Sequence, residues 1–262
     1  MHLLTLICFV AATVRGIIVP QAEAEAHFHS PVVNAPLPQG KNVTINGVLT
    51  YVSLPQAYDS TQAVLFLTDV FGLPSLDNLL LADEFAAAGY ATYAPDYLNG
   101  DAIPKGGNVT KWIANHGEAQ TTPPLLSVIN ALKAQGVKQI AATGYCFGGL
   151  YTVRLVQNNT ITVGTVAHPS LLDVPNDFEV MKAQSHVPLE INSAEFDTGF
   201  TPTLAVETDA VMSSYSAGYM RRHFSAVGHG FAVGADPNNP AQVAAKKGAF
   251  YTSLAWIQEH LE

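Results

Sequence analysis

Cysteine is almost missing from this chain, and its scarcity is the first constraint on what the protein can be. Among 262 residues only Cys8 and Cys146 occur. If the segment holding Cys8 is removed on maturation, Cys146 stands alone, and neither an internal disulfide nor a thiol couple with a resolving partner is possible. Charge is also thin, at 13% Asp, Glu, Lys and Arg, and the positive kind is shorter still: 12 Lys and Arg against 21 Asp and Glu, a net −9. Nucleic acid selects basic surfaces, so that partner is argued against. The apolar stretch Leu3–Val14 is too short to span a bilayer, and no membrane partner is expected. What is present is core-forming material, 48% hydrophobic. The length allows one or two domains, and single open α/β sheets commonly reach this size.

That N-terminal apolar stretch is followed by Arg15 and then by Ala22-Glu23-Ala24 and Ala24-Glu25-Ala26. Both triplets fit the small-residue form of a cleavage site, so residues 1–26 read as a signal peptide of a secreted protein. An apolar arm retained on an intracellular protein is the plainer alternative. Three Asn-x-Ser/Thr sequons, at Asn42, Asn108 and Asn158, agree with secretion. An unpaired cysteine in a secreted chain calls for a reason, and a nucleophilic role would be one.

Residues 27–44, with Pro31, Pro36 and Pro38, read as an extended leader. Val48–Leu54 alternates and ends at Pro55, which suits an edge or outer strand. Ala63–Thr68 is a continuous apolar run, as in a central parallel strand. Helical spacing covers 76–88 and stops at Gly89. Tyr90–Ala94 reads as the next strand, and a helix covers part of 108–134, with Pro123-Pro124 interrupting it or beginning a new one. Strands are expected over 137–142, 160–167, 187–193 and 219–225, with helices after the elbow described below, near 203–214 and over 241–261. This alternation predicts an α/β fold in one domain, a mostly parallel sheet with helices on both faces. Ligands of such sheets collect at the carboxyl ends of the strands. Asp69, Cys146, Asp197 and His229 each follow an expected strand.

The strand, Gly144-Tyr145-Cys146-Phe147-Gly148-Gly149 and the helix after it have the form of a nucleophile elbow with cysteine in the usual place of serine. The two flanking glycines relieve crowding around a strained backbone, and the helix N-terminus favours a thiolate. The bland explanation is a small buried cysteine beside packing glycines. A thiol nucleophile needs a base, and the base needs a third group to fix its tautomer. Cys146, Asp197 and His229 follow the nucleophile, acid, histidine order of α/β-hydrolases. His229, between two glycines after a strand, is the expected base and His168 a neighbour that could replace it. His27 and His29 lie in the leader, His116 on a polar helical stretch, His223 within a strand and His260 at the terminus. Glu195 competes with Asp197 for the acid. Asp69 is either a cap or a carboxylate that contacts the resting thiol. The amides of Val70 and Phe147 would form an oxyanion hole.

Taken together, Leu67–Gly72, Ala94–Tyr97, Gly144–Gly149, Ala194–Asp197 and His229–Phe231 resemble the dienelactone hydrolase family, in its fungal-type branch, from about residue 45 to the C-terminus. The resemblance implies an α/β-hydrolase fold and a Cys146–His229–Asp197 triad acting on ester or lactone carbonyls without metal or cofactor. The namesake enzyme has glutamate where this chain has Asp69, and arginines that hold a substrate carboxylate. Here Leu98-Asn99-Gly100 and Ala232-Val233-Gly234 stand in the arginine positions. Loss of such a clamp disfavours an anionic substrate. A neutral, moderately apolar ester or lactone, contacted by Phe71, Tyr97, Phe200 and Phe231, fits better. The alternative is a secreted binding protein that keeps the fold with little catalysis.

Overall fold

A computed structural model describes residues 37–104 and 106–261, and the signal-peptide reading of residues 1–26 lies outside them. Eight strands form one sheet: β1 (Lys41–Ile45), β2 (Val48–Ser53), β3 (Gln62–Leu67), β4 (Thr92–Pro95), β5 (Gln139–Tyr145), β6 (Val163–Ala167), β7 (Leu189–Phe196) and β8 (Tyr219–Gly228). Their spatial order is β1-β2-β4-β3-β5-β6-β7-β8. The β1–β2 and β2–β4 pairs are antiparallel and the remaining pairs parallel. The described residues also form seven helices: α1 (Leu76–Ala87), α2 (Val109–Ile113), α3 (Glu118–Ala134), α4 (Phe147–Gln157), α5 (Asn176–Gln184), α6 (Pro202–Met212) and α7 (Pro240–His260).

Strand β3 shows why this is a two-sided sheet. Its apolar run has no polar alternate, so both faces must be covered. Ala63, Leu65 and Leu67 join one core, with Leu125 and Val128 of α3 and Val153 of α4. Val64 and Phe66 point the other way, into a second core with Phe85 of α1 and Leu254 and Ile257 of α7. The parallel strands β3, β5, β6, β7 and β8 all end at the same edge of the sheet, and that edge receives the chemistry.

Several sequence expectations are corrected here. Residues 41–44, expected inside an extended leader, form with Ile45 the edge strand β1, so β2 is an inner strand. The Pro123-Pro124 pair neither interrupts nor begins a helix; α3 runs from Glu118 through both. Proline 124 has no N–H for the Gln120 carbonyl one turn back. Asn99 Nδ2 donates to that oxygen instead, at 2.9 Å, which offsets the loss. Helix α5 has no counterpart among the expected elements. Its buried residues are only Asp177, Phe178 and Met181, too few to mark a helical period.

Candidate active site

The elbow forms as its glycines require. Cys146 sits between β5 and α4 at φ 53 and ψ −112, a strained conformation for a residue with a Cβ. Neither flanking glycine has a positive φ; close approach is what demands them. A Cβ on Gly144 would lie 2.2 Å from Thr152 Oγ1, and one on Gly148 would lie 2.3 Å from the Leu67 carbonyl oxygen at the end of β3. The turn is tied down by Cys146 N–H donating to the Ala167 carbonyl at 3.2 Å and by Ser170 N–H donating to the Cys146 carbonyl at 3.1 Å. The sulfur is half-buried, and Cys146 is a free cysteine.

His229 follows β8 directly, and its Nδ1 donates to Asp197 Oδ1 at 2.9 Å. Asp197 is 3% exposed, and the same oxygen accepts the Gly199 and Phe200 amides at 2.7 and 3.1 Å. Burial pushes the Asp197 carboxyl up, but the His229 hydrogen bond and charge and the two amides hold it below its ordinary value. With Nδ1 committed to the carboxylate, the other ring nitrogen is left for Cys146, whose sulfur acts on the His229 ring. Burial works against the imidazolium, yet the Asp197 hydrogen bond and the Cys146 sulfur raise the His229 pKa to about 10. Its side chain is 31% exposed, so solvent screens part of this; the direction, toward a protonated ring, follows from the two partners.

Glu195 is turned elsewhere. Its Oε2 accepts the Ala226 amide at 2.7 Å, where Ala226 has φ 61. This is the register shift in which Ala194 pairs with Phe224 and Phe196 already with Gly228. The bulge is Glu195's business, and it sets Asp197 and His229 in phase.

Asp69 is buried at 8% and serves the loop that follows β3. Its Oδ1 accepts the Phe71 amide at 2.9 Å and Asn78 Nδ2 at 2.8 Å, and its carbonyl accepts the Gly72 amide at 3.1 Å. Burial raises the carboxyl pKa, with the two hydrogen bonds opposing. Among the described residues it makes no hydrogen bond to the sulfur, so of its two expected roles the cap is the one seen. Within this turn the Val70 amide, like that of Phe147 at the start of α4, donates to no partner among the described residues.

The expected apolar lining divides. Phe71 is 40% exposed. Tyr97, Phe200 and Phe231 are buried and packing accounts for them. Tyr97 donates its hydroxyl to the Thr68 carbonyl and lies against Phe147 and Tyr151; Phe231 packs on His168 and Phe224. Phe200 contributes its amide to Asp197, and its ring belongs to the core. A surface groove along α3, lined by Asn46, Pro123, Leu126 and Ser127 among others, includes none of the site residues.

The segment after β6 contributes more than the sequence suggested. His168 is fully buried, its ring meets that of His229 edge-on at 5.0 Å, and burial followed by the His229 charge lowers its pKa to about 3. It is a neutral neighbour of His229. Ser170, unremarked in the sequence, places Oγ 3.3 Å from Cys146 Sγ. Its only sequence signal is its place two residues past His168 at a strand end. Asn78, which holds Asp69 from α1, gave no signal at all. Among the described residues no group of His, Cys, Asp and Glu could hold a metal ion.

Comparison with known proteins bears on the same region. The family model described as the dienelactone hydrolase family matches residues 48–261. Hydrolase pyvD of Aspergillus violaceofuscus is 31% identical over 86% of this chain and 91% of its own length. Hydrolase tropI of Talaromyces stipitatus is 30% identical over 86% and 92%, and dienlactone hydrolase 1 of Gibberella moniliformis 26% identical over 84% and 87%. In fold, the chain resembles a Klebsiella pneumoniae protein provisionally identified as a dienelactone hydrolase, with a TM-score of 0.71 at 16% identity, over 84% of this chain and 98% of that one. It also resembles a thermophilic esterase from Thermogutta terrifontis with propionate bound, TM-score 0.60 at 15% identity, over 86% and 94%. The chain belongs to the dienelactone hydrolase family and is a hydrolase of its ester- and lactone-cleaving class.

Proposed function

We propose that the protein cleaves a neutral carboxylic ester or lactone by way of an acyl-cysteine at Cys146. The observation that carries this reading is the hydrogen bond from His229 Nδ1 to the buried Asp197, on a ring whose pKa the Cys146 sulfur also raises, with the cysteine held at φ 53 on the elbow. His229 takes the thiol proton, and the sulfur attacks the carbonyl carbon. The oxyanion is received by the Val70 and Phe147 amides, which donate to nothing else among the described residues. His229 returns the proton to the leaving oxygen as the carbon–oxygen bond breaks. A water then gives a proton to His229 while its oxygen attacks the thioester; the acid is released and the proton goes back to sulfur. The relatives named dienlactone hydrolase motivate the lactone arm of this reading.

Neutrality of the substrate rests on the charges around the site. Among the described residues the arginine ion pairs are made with Glu118, Asp177 and Asp209, and none reaches Asp69, Asp197 or His229. Leu98, Ala232 and Val233, in the arginine positions, are buried apolar residues. At the rim Phe71 and Leu171 are 40% and 47% exposed and offer apolar contact. A p-nitrophenyl acetate and mono-p-nitrophenyl succinate pair tests the point. The neutral ester is expected to have the higher kcat/KM by about tenfold or more, the worth of an unpaired charge at a site without a cation, and stopped reactions to show one acyl group on the peptide holding Cys146. Preference for the succinate, or an acyl group elsewhere, rejects the proposal.

The same reading has the protein acting outside the cell. It is supported by the apolar N-terminal stretch and by the exposed positions of Asn42, Asn108 and Asn158. Expression of the full sequence in a fungal host should release it to the medium, with a mass that falls on endoglycosidase treatment; retention in the cytosol contradicts it.

A further inference from the structure

The post-β6 segment holds the cysteine at three points. Ala167 accepts from the Cys146 N–H, Ser170 N–H donates to the Cys146 carbonyl, and Ser170 Oγ lies 3.3 Å from Sγ. The grip is built with strain. His168 has φ 38 and Leu171 φ 63, two residues with side chains in the left-handed region. They bracket Pro169 and Ser170, and Pro169 packs so close to α4 that a Cβ on Gly149 would lie 2.8 Å from its own. The result is that the Ser170 hydroxyl faces the sulfur and has no other partner among the described residues. A hydroxyl carries one donor and two acceptor sites. Opposite a neutral thiol either atom can donate; opposite a thiolate only the hydroxyl can.

We propose that Ser170 is a catalytic residue whose hydroxyl donates a hydrogen bond to the Cys146 thiolate, sharing with His229 the task of holding the charged sulfur before attack. The proposal rests on the reading of Cys146 as the nucleophile. The thiol proton goes to His229 and the hydroxyl keeps its own, so no proton is lost from Ser170 at any step. Once the sulfur is acylated it becomes a poor acceptor and the contact is released, so the bond acts on the formation of the acyl-enzyme and not on its hydrolysis. The titratable groups that reach the sulfur directly or through His229 are His229 after β8, Asp197 after β7, Asp69 after β3, Tyr97 after β4 and His168 after β6. None of them is altered by a change at Ser170.

Alkylation of Cys146 by iodoacetamide, followed across pH, reads the thiolate without any substrate. Ser170→Ala is expected to slow it about tenfold near neutral pH, the worth of one hydrogen bond to a charged group, and to move the acid limb of the profile to higher pH. The burst of p-nitrophenol from the aryl acetate should slow by a similar factor while the later steady rate of acyl-enzyme hydrolysis changes less than twofold. Ser170→Thr and Ser170→Val, which differ by hydroxyl against methyl, decide the matter even where the alanine variant unfolds: threonine should keep the wild-type profile and valine lose it. Profiles for threonine and valine that coincide, or an alanine profile that overlies the wild type, overturn the assignment. The reading beneath it fails separately, through undiminished ester turnover in Cys146→Ala.

Discussion

Replacing Cys146 with alanine is expected to lower kcat/KM for a small aryl ester by about 10⁴-fold to 10⁶-fold, the range seen when a covalent nucleophile is removed from a triad. The residual rate would come from the two free amides and from substrate binding, which act on water as an attacking group only weakly. The variant should fold. Alanine keeps the Cβ that the elbow already tolerates at φ 53, the backbone bonds to Ala167 and Ser170 are untouched, and the sulfur itself is only half-buried. Serine in place of cysteine supplies a hydroxyl that loses its proton far less readily than a thiol, so a rate between those of the alanine variant and the wild type is expected. Initial rates with p-nitrophenyl acetate, beside thermal melts, check the series. An alanine variant that folds normally and keeps turnover within tenfold removes Cys146 from the chemistry, and a binding role for the fold would then gain ground.

How much of this was legible in the residues alone depends on how local the signal is. The elbow is local. Gly144 and Gly148 are demanded by contacts with Thr152, in the helix that follows the elbow, and with Leu67, one strand away, so the spacing G-x-C-x-G carries it. The two-sided sheet was legible for the same reason, since β3 has no polar alternate to face water. The choice between Glu195 and Asp197 was not local. Two residues apart at the end of one strand, they would point the same way if the strand continued regularly; the bulge opposite Glu195 turns its carboxylate to Ala226 and leaves Asp197 to His229. Ser170 was invisible because its partner is 24 residues earlier and its position depends on two strained residues whose identity, His168 and Leu171, announces nothing. Tyr97, Phe200 and Phe231 misled in the opposite direction. An aromatic next to a motif is as well explained by the core beneath the site as by a pocket above it, and the structure puts all three below.

The acid of the constellation gives the second large effect. Asp197→Asn is expected to reduce kcat/KM by about 10³-fold to 10⁴-fold, as loss of the tautomer-fixing carboxylate does in a triad. An asparagine cannot hold Nδ1–H with a charged acceptor, and its amide can donate to that nitrogen instead, leaving the proton on the side that must face sulfur. The His229 ring, followed by NMR, should titrate near 10 in the wild type and move down toward its ordinary value near 6.5 in the variant. Rate and stability then separate along pH. A folded-state pKa raised above the unfolded value makes His229 stabilise the fold fully below about pH 6.5 and progressively less as pH rises toward 10. Asp197, held below its ordinary value, stabilises above about pH 4 and loses that contribution as pH falls through its lowered pKa. The gap in melting temperature between wild type and Asp197→Asn should therefore be widest between about pH 4 and 6.5 and close toward pH 10. Glu195→Gln is the control: its contact is to a backbone amide on the bulge, so the His229 titration should stay where it is in the wild type. A titration that moves with Glu195 and not with Asp197 would reverse the assignment of the acid, because only the carboxylate bonded to Nδ1 can hold the imidazolium.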